Sequence, residues 1–327
     1  TYSSIVAPIP NSFTGDFAID SENNLWYTNW IPDSTGLLLK FNIEKYKQDS
    51  YAVGTGIGLD LSLEDYFEVY DFPQDLNTAN GLSIDENDNV WIVDTSSSFF
   101  FKFDPIDQTF TKFITSPPQK STYGNFTGII KSPISRPYWS QTDMNGNFYF
   151  NEQTSNQLAI FDINKEHLVE YMVPSKNPNW ADCEDKSNSD CGVAQIFGFD
   201  VVRDKIWFTE WAGNKIGVVD TKKPLPFSVK IDVESITLKK GETKTITLSV
   251  NLPSSNTGDI NFNSAHTAST VTMSSDILVS HTFNKSDEII VSVTASEIAL
   301  SGDYKLLLGV FNPEVNVSKY IDVTIEP

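Results

Sequence analysis

The sequence predicts an all-β protein in which a β-propeller of four recognisable four-stranded blades precedes an Ig-like β-sandwich. Aromatic residues make up 13% of the 327 residues, and such a composition favours pleated sheet over helix. One aromatic motif recurs along the first two thirds of the chain, whereas the last third alternates apolar and polar residues. The repeat predicts the blades, and the alternation predicts the sandwich.

Four copies of the motif define the repeat. They read "DSENNLWYTN" from residue 20, "DENDNVWIVD" from 85, "DMNGNFYFNE" from 143 and "DVVRDKIWFTE" from 200. Their aromatic anchors at 26, 91, 149 and 207 are spaced 65, 58 and 58 residues apart, and the first unit carries a three-residue insertion around "PDST". Each unit reads as four short strands between Gly-, Asn-, Asp- and Pro-rich turns, the make-up of a propeller blade. Trp91 and Trp207 are predicted to lie in the blade core.

The repeat ends near residue 225. The segments "PFSVKIDVESITLKKGETKTITLSVNLP", "EIIVSVTASEIALSGDYKLLLGVFN" and "VSKYIDVTIEP" then alternate apolar and polar residues, with turns at "KKGE" and "LSGDY". About 100 residues of such strands favour a sandwich, and they are similar to Ig-like modules on prokaryotic surface proteins. We therefore expect a propeller over residues 1–224 and a separate sandwich over residues 225–327, joined by the linker "DTKKPLPF".

Charge and cysteine content indicate an extracellular or cell-surface protein. The net charge of -20 repels nucleic acid and anionic lipid, and no apolar run is long enough to span a bilayer. The two cysteines, Cys183 and Cys191, bracket a polar loop, and a disulfide fits them better than a metal pair because no His lies nearby. Three sequons, at Asn125, Asn284 and Asn316, predict a glycoprotein.

Two blade segments carry a family resemblance. "NEQTSNQLAIFD" and "FTEWAGNKIGVVD" resemble the blade signature of streptogramin B (virginiamycin B) lyase-like propellers, over roughly residues 5 to 222. The resemblance implies a lyase whose inner-loop histidines act near a metal and a glutamate. His167 approaches an outermost strand instead, and His266 and His281 lie beyond the repeat. A histidine base is therefore missing from its family positions.

The missing histidines favour a non-catalytic surface protein that binds or scaffolds partners. The alternative is a metal-assisted lyase or hydrolase with Glu152 or Glu210 as base or ligand. Expected partners are other cell-envelope proteins, copies of the chain itself or glycans, and neither nucleic acid nor a membrane span is expected. No cofactor is certain, and a divalent cation, Ca²⁺ or Mg²⁺, stays open.

The predicted binding face combines the loops after each second strand with the segments that lead into each first strand. Its acidic and aromatic groups suit a cation or a sugar. The alternative is that a Glu after "WFT" only bonds the amides of its own turn. The face contains Asn29, Trp30, Asp94, Glu152, Gln153, Glu210, Trp211, Arg136 and Tyr138, with Trp139 beside them.

The Asp- and Asn-rich turns are a second candidate for a cation. Asp85 and Asp143 open such turns, and Glu152 and Glu210 are further weak candidates for metal ligands. No bidentate Glu follows at the twelfth position of a calcium loop. Tight hairpins are therefore the more usual explanation, since Asn, Asp and Gly tolerate left-handed backbone angles.

The segment "SIVAPIP", residues 4–10, resembles the outermost strand of a family blade but precedes the first unit. We expect it either to close the ring beside the strand near Ile216–Val219, or to remain from upstream blades. Four-bladed rings are at the small end of the known range, and an open arc exposes sheet edges. The favoured expectation is a larger propeller or an assembly of copies.

Overall fold

The computed structural model describes residues 8–32, 34–54, 63–125, 134–187, 190–253, 260–268, 276–285 and 287–327. Over these residues the chain is built mainly of strands, which confirms the all-β class. Neither of the two α-helices within the described ranges has the length and apolar character of a membrane-spanning segment. Most of the predicted N-terminal strand at 4–10 lies outside the described residues, and residues 8–11 form bends and a turn.

Three antiparallel sheets each contain four consecutive strands. Sheet 1 contains β1 (Phe13–Ile19), β2 (Leu25–Ile31), β3 (Thr35–Phe41) and β4 (Phe67–Asp71). Sheet 2 contains β5 (Ala79–Ile84), β6 (Val90–Asp94), β7 (Phe99–Asp104) and β8 (Thr109–Ile114). Sheet 3 begins with β9 (Pro137–Thr142), β10 (Asn147–Glu152), β11 (Gln157–Asp162) and β12 (His167–Met172). The helices α1 (Ile43–Gly54) and α2 (Lys120–Tyr123) lie in the connections after β3 and β8.

Sheet 4 has three strands in the described chain, not the predicted four. It contains β13 (Ile196–Val202), β14 (Lys205–Glu210) and β15 (Lys215–Asp220). The next strand, β16 (Ser228–Ile231), lies in the segment assigned to the sandwich and pairs with β18 (Thr243–Asn251) of the C-terminal region. Burial explains this choice, because Phe227 and Ile231 fill the C-terminal core. The outer edge of β15 has no strand partner among the described residues.

The four sheets stack face to face in chain order. The first strand of each sheet packs against the first strand of the next, β1 on β5, β5 on β9 and β9 on β13, which makes the arrangement propeller-like. One hydrophobic core joins sheets 1, 2 and 3, and a second joins sheets 3 and 4. Within the described residues β13 and β1 do not pack closely, so sheets 1 and 4 do not cover each other. Tyr46 and Tyr66 from the connection after β3 cover part of sheet 1 at Phe41.

The C-terminal strands form two sheets around a core of their own. One sheet has the order β16, β18, β21 (Glu288–Ala295) and β20 (Ile277–Lys285). The strands that face it are β17 (Ser235–Lys239), β19 (Asn261–His266), β22 (Gly302–Phe311) and β23 (Val315–Glu326). The Ig-like class and the domain boundaries stay predictions.

The C-terminal strands are joined to sheet 3. Strand β12 pairs antiparallel with β23, so sheet 3 continues without a break into the C-terminal sheet. Tyr320 of β23 is buried in the core of sheets 1 to 3, and its hydroxyl donates to the Ile114 carbonyl. The joint forms because β12 is an otherwise open edge with unpaired backbone groups, and Val317 opposite Val169 supplies apolar cross-strand contact.

Candidate functional site

Loops at one end of sheets 2, 3 and 4 come together as the repeat predicts. In each sheet the loop after the second strand donates a backbone hydrogen bond to the segment that leads into the first strand. The donors and acceptors are Thr95 N to Thr78 O, Gln153 N to Arg136 O and Trp211 N to Gln195 O, at 2.9, 3.1 and 3.0 Å.

Most of the residues predicted for this face have buried side chains. They pack between sheets or bond within their loops, and therefore do not present themselves to solvent. Asp94, for example, accepts from the amides of Thr78 and Ser96, and burial raises its pKa despite these bonds. The buried members are Asn29, Trp30, Asp94, Glu152, Gln153 and Glu210.

An exposed aromatic ridge occupies the part of the face formed by sheets 3 and 4. Tyr138, Phe197, Trp211 and Trp180 contact one another in that order, with ring centroids 5.3, 5.9 and 5.3 Å apart. Trp211 is 62% exposed, Phe197 49% and Trp180 39%. Successive rings are tilted by 41° to 52°, so the ridge presents several ring faces side by side. We call these four residues the aromatic ridge.

The sequence predicted half of the ridge. Trp211 and Tyr138 belong to the predicted face, and Arg136 lies exposed next to Tyr138. Phe197 and Trp180 were missed. Phe197 sits where the register of β13 against β14 shifts, and this irregularity turns its ring outward where alternation predicts a regular strand. Trp180 ends a 3₁₀ turn, Pro178–Trp180, in the connection between sheets 3 and 4.

The loop that carries Trp180 is fixed from several sides. The Asn177 side chain accepts from the Asn179 amide and donates to the Ala212 carbonyl at 3.1 Å, which ties this loop to that of Trp211. Lys186 Nζ donates to the carbonyls of Pro178 and Ala181. The disulfide Cys183–Cys191 closes the following segment and confirms the predicted pairing. The ridge is therefore held in place before any ligand binds.

The Asp-rich turns are saturated by their own hydrogen bonds. Asp85 Oδ1 accepts from the amides of Asn87 and Asn89, and Oδ2 accepts from the Trp91 indole at 2.9 Å. Asp143 repeats the pattern with Tyr149 in place of Trp91. Burial raises the Asp143 pKa, but the hydrogen bonds outweigh it and hold that pKa below its ordinary value. No group of three or more His, Cys, Asp or Glu side chains converges in the described part of the chain.

The fourth unit departs from this arrangement. Asp200, which opens its motif, pairs with Trp207 inside the hairpin of β13 and β14 and is exposed. The turn itself is shorter and reads Val202, Arg203, Asp204, Lys205. Trp207 therefore lacks the turn carboxylate that bonds the ring in the other units. It is 45% exposed instead of lying in the predicted core, because no further sheet of the described chain covers it.

Two carboxyl groups are buried side by side between the sheets. Glu152 and Glu170 have no exposed surface, and Glu170 accepts from the amide and hydroxyl of Ser116. The Glu152 carboxyl lies against the Glu170 carboxyl and the hydroxyls of Ser135 and Ser155. Burial raises the Glu152 pKa well above its ordinary value, and the adjacent Glu170 raises it further. Burial also raises the Glu170 pKa. Two carboxylates in contact in a dry interior do not both ionise, so the pair retains a proton.

The two glutamates proposed as lyase groups are inaccessible. Glu152 is 0% exposed and Glu210 is 5% exposed, with one Glu210 oxygen lacking a donor. The histidines lie elsewhere: His167 begins β12, His266 ends β19, and His281 in β20 stacks on Phe262. Burial lowers the pKa of both His167 and His266.

The three sequons differ in accessibility. Asn284 is exposed on β20 and donates to Glu288, and Asn125 is partly exposed at the edge of a described segment. Asn316 is only 2% exposed, and its amide oxygen accepts from Asn263 in the sheet that joins both halves of the molecule. A glycan has no room there, so the prediction for Asn316 is wrong for the folded chain.

Comparison with known proteins gives distant structural similarity. No family model and no curated protein matches the chain. Virginiamycin B lyase from Staphylococcus aureus is similar at 12% identity and a TM-score of 0.42, over 96% of this chain and 82% of that chain. A streptogramin B lyase structure is similar at 14% identity and a TM-score of 0.40, over 87% of this chain and 80% of that chain. Domains 4 and 5 of the S-layer protein SbsC are similar at 16% sequence identity and a TM-score of 0.24, over 39% of this chain and 67% of that chain. Similarity at this level carries no information about activity.

Proposed function

We propose that the protein is a non-catalytic binding protein of the cell exterior, and that its aromatic ridge binds a neutral carbohydrate chain. The observation that carries this proposal is the contact series of four rings, three of them large exposed aromatics, on a surface where loops converge. Contiguous exposed apolar surface is uncommon on soluble proteins unless it binds something.

The shape of the ridge favours a carbohydrate. Sugar rings carry flat faces of C–H groups between hydroxyls that stay hydrated, and aromatic faces accommodate them while the indole N–H and phenol O–H bond to hydroxyls. Tilted rings about 5 to 6 Å apart offer several such faces along one line. A polyanionic ligand is disfavoured because the chain carries a net charge of -20.

The non-catalytic character is supported by the positions of the acidic groups. A general base has to come within hydrogen-bonding distance of its substrate, and the buried Glu152 and Glu210 offer no such approach. The extracellular location is supported by the disulfide, since structural disulfides persist in oxidising compartments.

A polysaccharide and glycan array tests the proposal. The wild-type chain is expected to bind a set of neutral glycans, and the double variant Trp180→Ala/Trp211→Ala is expected to lose that binding. Trp139→Ala is the matched control, because Trp139 is 40% exposed on β9 directly after Tyr138 but makes none of the ring contacts that define the ridge. Binding that survives the double variant, or that Trp139→Ala abolishes equally, overturns the proposal.

A further inference from the structure

The two end sheets of the stack expose apolar faces that are buried in the inner sheets. Trp26, Trp91 and Tyr149 occupy the same position in sheets 1, 2 and 3 and are 1%, 1% and 6% exposed. Trp207 occupies this position in sheet 4 and is 45% exposed. Val218, its neighbour across the strands, is 47% exposed. In sheets 1 to 3 this face is covered by the next sheet of the stack, whereas in sheet 4 it is exposed.

Sheet 1 presents the opposite face. Phe17 of β1 is the counterpart of Leu82 in sheet 2 and Phe199 in sheet 4. Each of the three lies opposite the residue that follows the aromatic anchor of its sheet. Leu82 is 2% exposed and Phe199 is 9% exposed, because the preceding sheet covers them, whereas Phe17 is 64% exposed. The end units of a repeat array need polar outer faces to remain soluble alone, and these two have apolar ones.

The internal contacts show what fits each face. Trp91 of sheet 2 packs its indole against Phe148 and Phe161 of sheet 3, with centroids 5.2 and 5.6 Å apart. By strand register, Phe148 corresponds to Leu25 of sheet 1, and Phe161 corresponds to Phe41. The site that receives an indole in sheet 3 therefore has a counterpart on sheet 1. Tyr46 and Tyr66 already cover one side of Phe41, which is 3% exposed, and the side toward Leu25 and Phe17 stays open.

That counterpart is an open hollow. It has a volume of about 280 Å³ and is lined by Leu25, Phe41, Phe17, Tyr27 and Phe67 among others. A cavity of roughly 150 Å³ is enough for a benzene ring, so the hollow has the volume for an indole. The chain thus displays an aromatic knob, Trp207, at one end of the stack and an apolar hole of matching type at the other.

We infer that sheet 4 of one molecule packs on sheet 1 of a second copy, with Trp207 inserted into the hollow lined by Leu25 and Phe41. A second copy is the occupant that these faces select, because the contact repeats the sheet-on-sheet packing that the chain already makes three times. The contact is head-to-tail, since knob and hole lie on different faces, and it either closes into a ring or extends into a filament. This inference is independent of the aromatic ridge.

Sedimentation velocity of the full chain over a concentration series tests the inference. Association is expected, and it should strengthen with salt because copies with a charge of -20 repel one another. Trp207→Glu and Phe17→Glu should each weaken it by roughly 100-fold, as for a central aromatic anchor. Ile298→Glu, at a site 73% exposed in the C-terminal region, is the matched control and should leave association unchanged.

Mixing the two variants makes the test specific. Trp207→Glu keeps an intact hole and Phe17→Glu keeps an intact knob, so the mixture should form a one-to-one complex that grows no further. Circular dichroism checks folding, and Val218→Lys replaces Trp207→Glu if that variant does not fold. A monomer at all concentrations, association insensitive to both substitutions, or absence of rescue on mixing overturns the inference.

Discussion

The turn aspartates show how one residue type becomes structural in three units and not in the fourth. Asp20, Asp85 and Asp143 each accept from turn amides and from the aromatic anchor six residues later. Asp200 has the same place in the motif but lies on an exposed strand position. The motif predicted an Asp and a polar turn in all four units, whereas the fourth turn leaves Asp200 on the strand, away from the position where a carboxylate can bond the ring.

Asp85→Ala is expected to lower the free energy of unfolding by about 2–4 kcal/mol, because it leaves several buried donors without an acceptor. Asp200→Ala is the matched control at the equivalent motif position, and its effect is expected to stay within about 0.5 kcal/mol, as is usual for exposed sites. Urea unfolding measures both. Equal losses at the two positions contradict a structural role that depends on the turn.

The buried pair of Glu152 and Glu170 predicts a specific pH dependence. A carboxyl whose folded-state pKa is raised stabilises the fold fully below its unfolded pKa of 4.5, and this contribution is lost as the pH rises through the folded pKa. The groups that face the pair are Ser116, Ser135, Ser155 and Tyr320. The two pKa shifts arise from burial, from the carboxyls acting on each other and from the serine hydrogen bonds.

In Glu152→Gln the new side-chain amide donates a hydrogen bond to the Glu170 carboxylate. The pair then no longer has to retain a proton. The variant is therefore expected to be more stable than wild type at neutral and alkaline pH, by about 1–3 kcal/mol, with the difference shrinking toward pH 4.5. Thermal unfolding across this range measures it, and Glu314→Gln at an exposed carboxyl is the control. A difference that grows as the pH falls contradicts a shared proton.

At the level of elements, local alternation identified strands better than it identified their partners. The repeat predicted the strand content of sheets 1 to 3, because each hairpin pairs residues close in sequence. It could not predict that His167 pairs with Lys319, or that Val229 pairs with Val250. Those pairings depend on which open edge and which core lie nearby in the folded molecule. Helix α1 was also missed, because the units that defined the repeat have no counterpart to it.

The continuous sheet from β9 to β19 predicts one cooperative unfolding transition for the whole chain. Val317→Pro is placed at the joint, opposite Val169, where it removes a ladder hydrogen bond and leaves a buried partner unsatisfied at a cost of about 1–3 kcal/mol. Calorimetry is expected to show a single transition that moves to lower temperature. Two resolved transitions in the wild-type chain contradict a single cooperative unit. So does a variant in which only one of two transitions shifts to lower temperature.

At the level of the whole molecule, the stacked sheets have a packed interior and two kinds of exposed apolar surface. The interior contains the packed aromatic side chains and the buried carboxyl pair. The end faces of sheets 1 and 4 are apolar and fit each other, and the aromatic ridge lies apart from both, on the loops. The expectation of an open arc came from the repeat count, but the matching knob and hole became visible only once register and exposure were known.

Isothermal titration with the best neutral oligosaccharide from the array tests the central claim most directly. Trp211→Ala is expected to weaken binding at least tenfold, which is about 1.4 kcal/mol, because it removes the most exposed ring of the ridge. Trp207→Ala removes an equally large exposed indole outside the ridge and is expected to leave the affinity unchanged. Equal affinity of wild type and Trp211→Ala, or equal weakening by both substitutions, contradicts the ridge as the binding site.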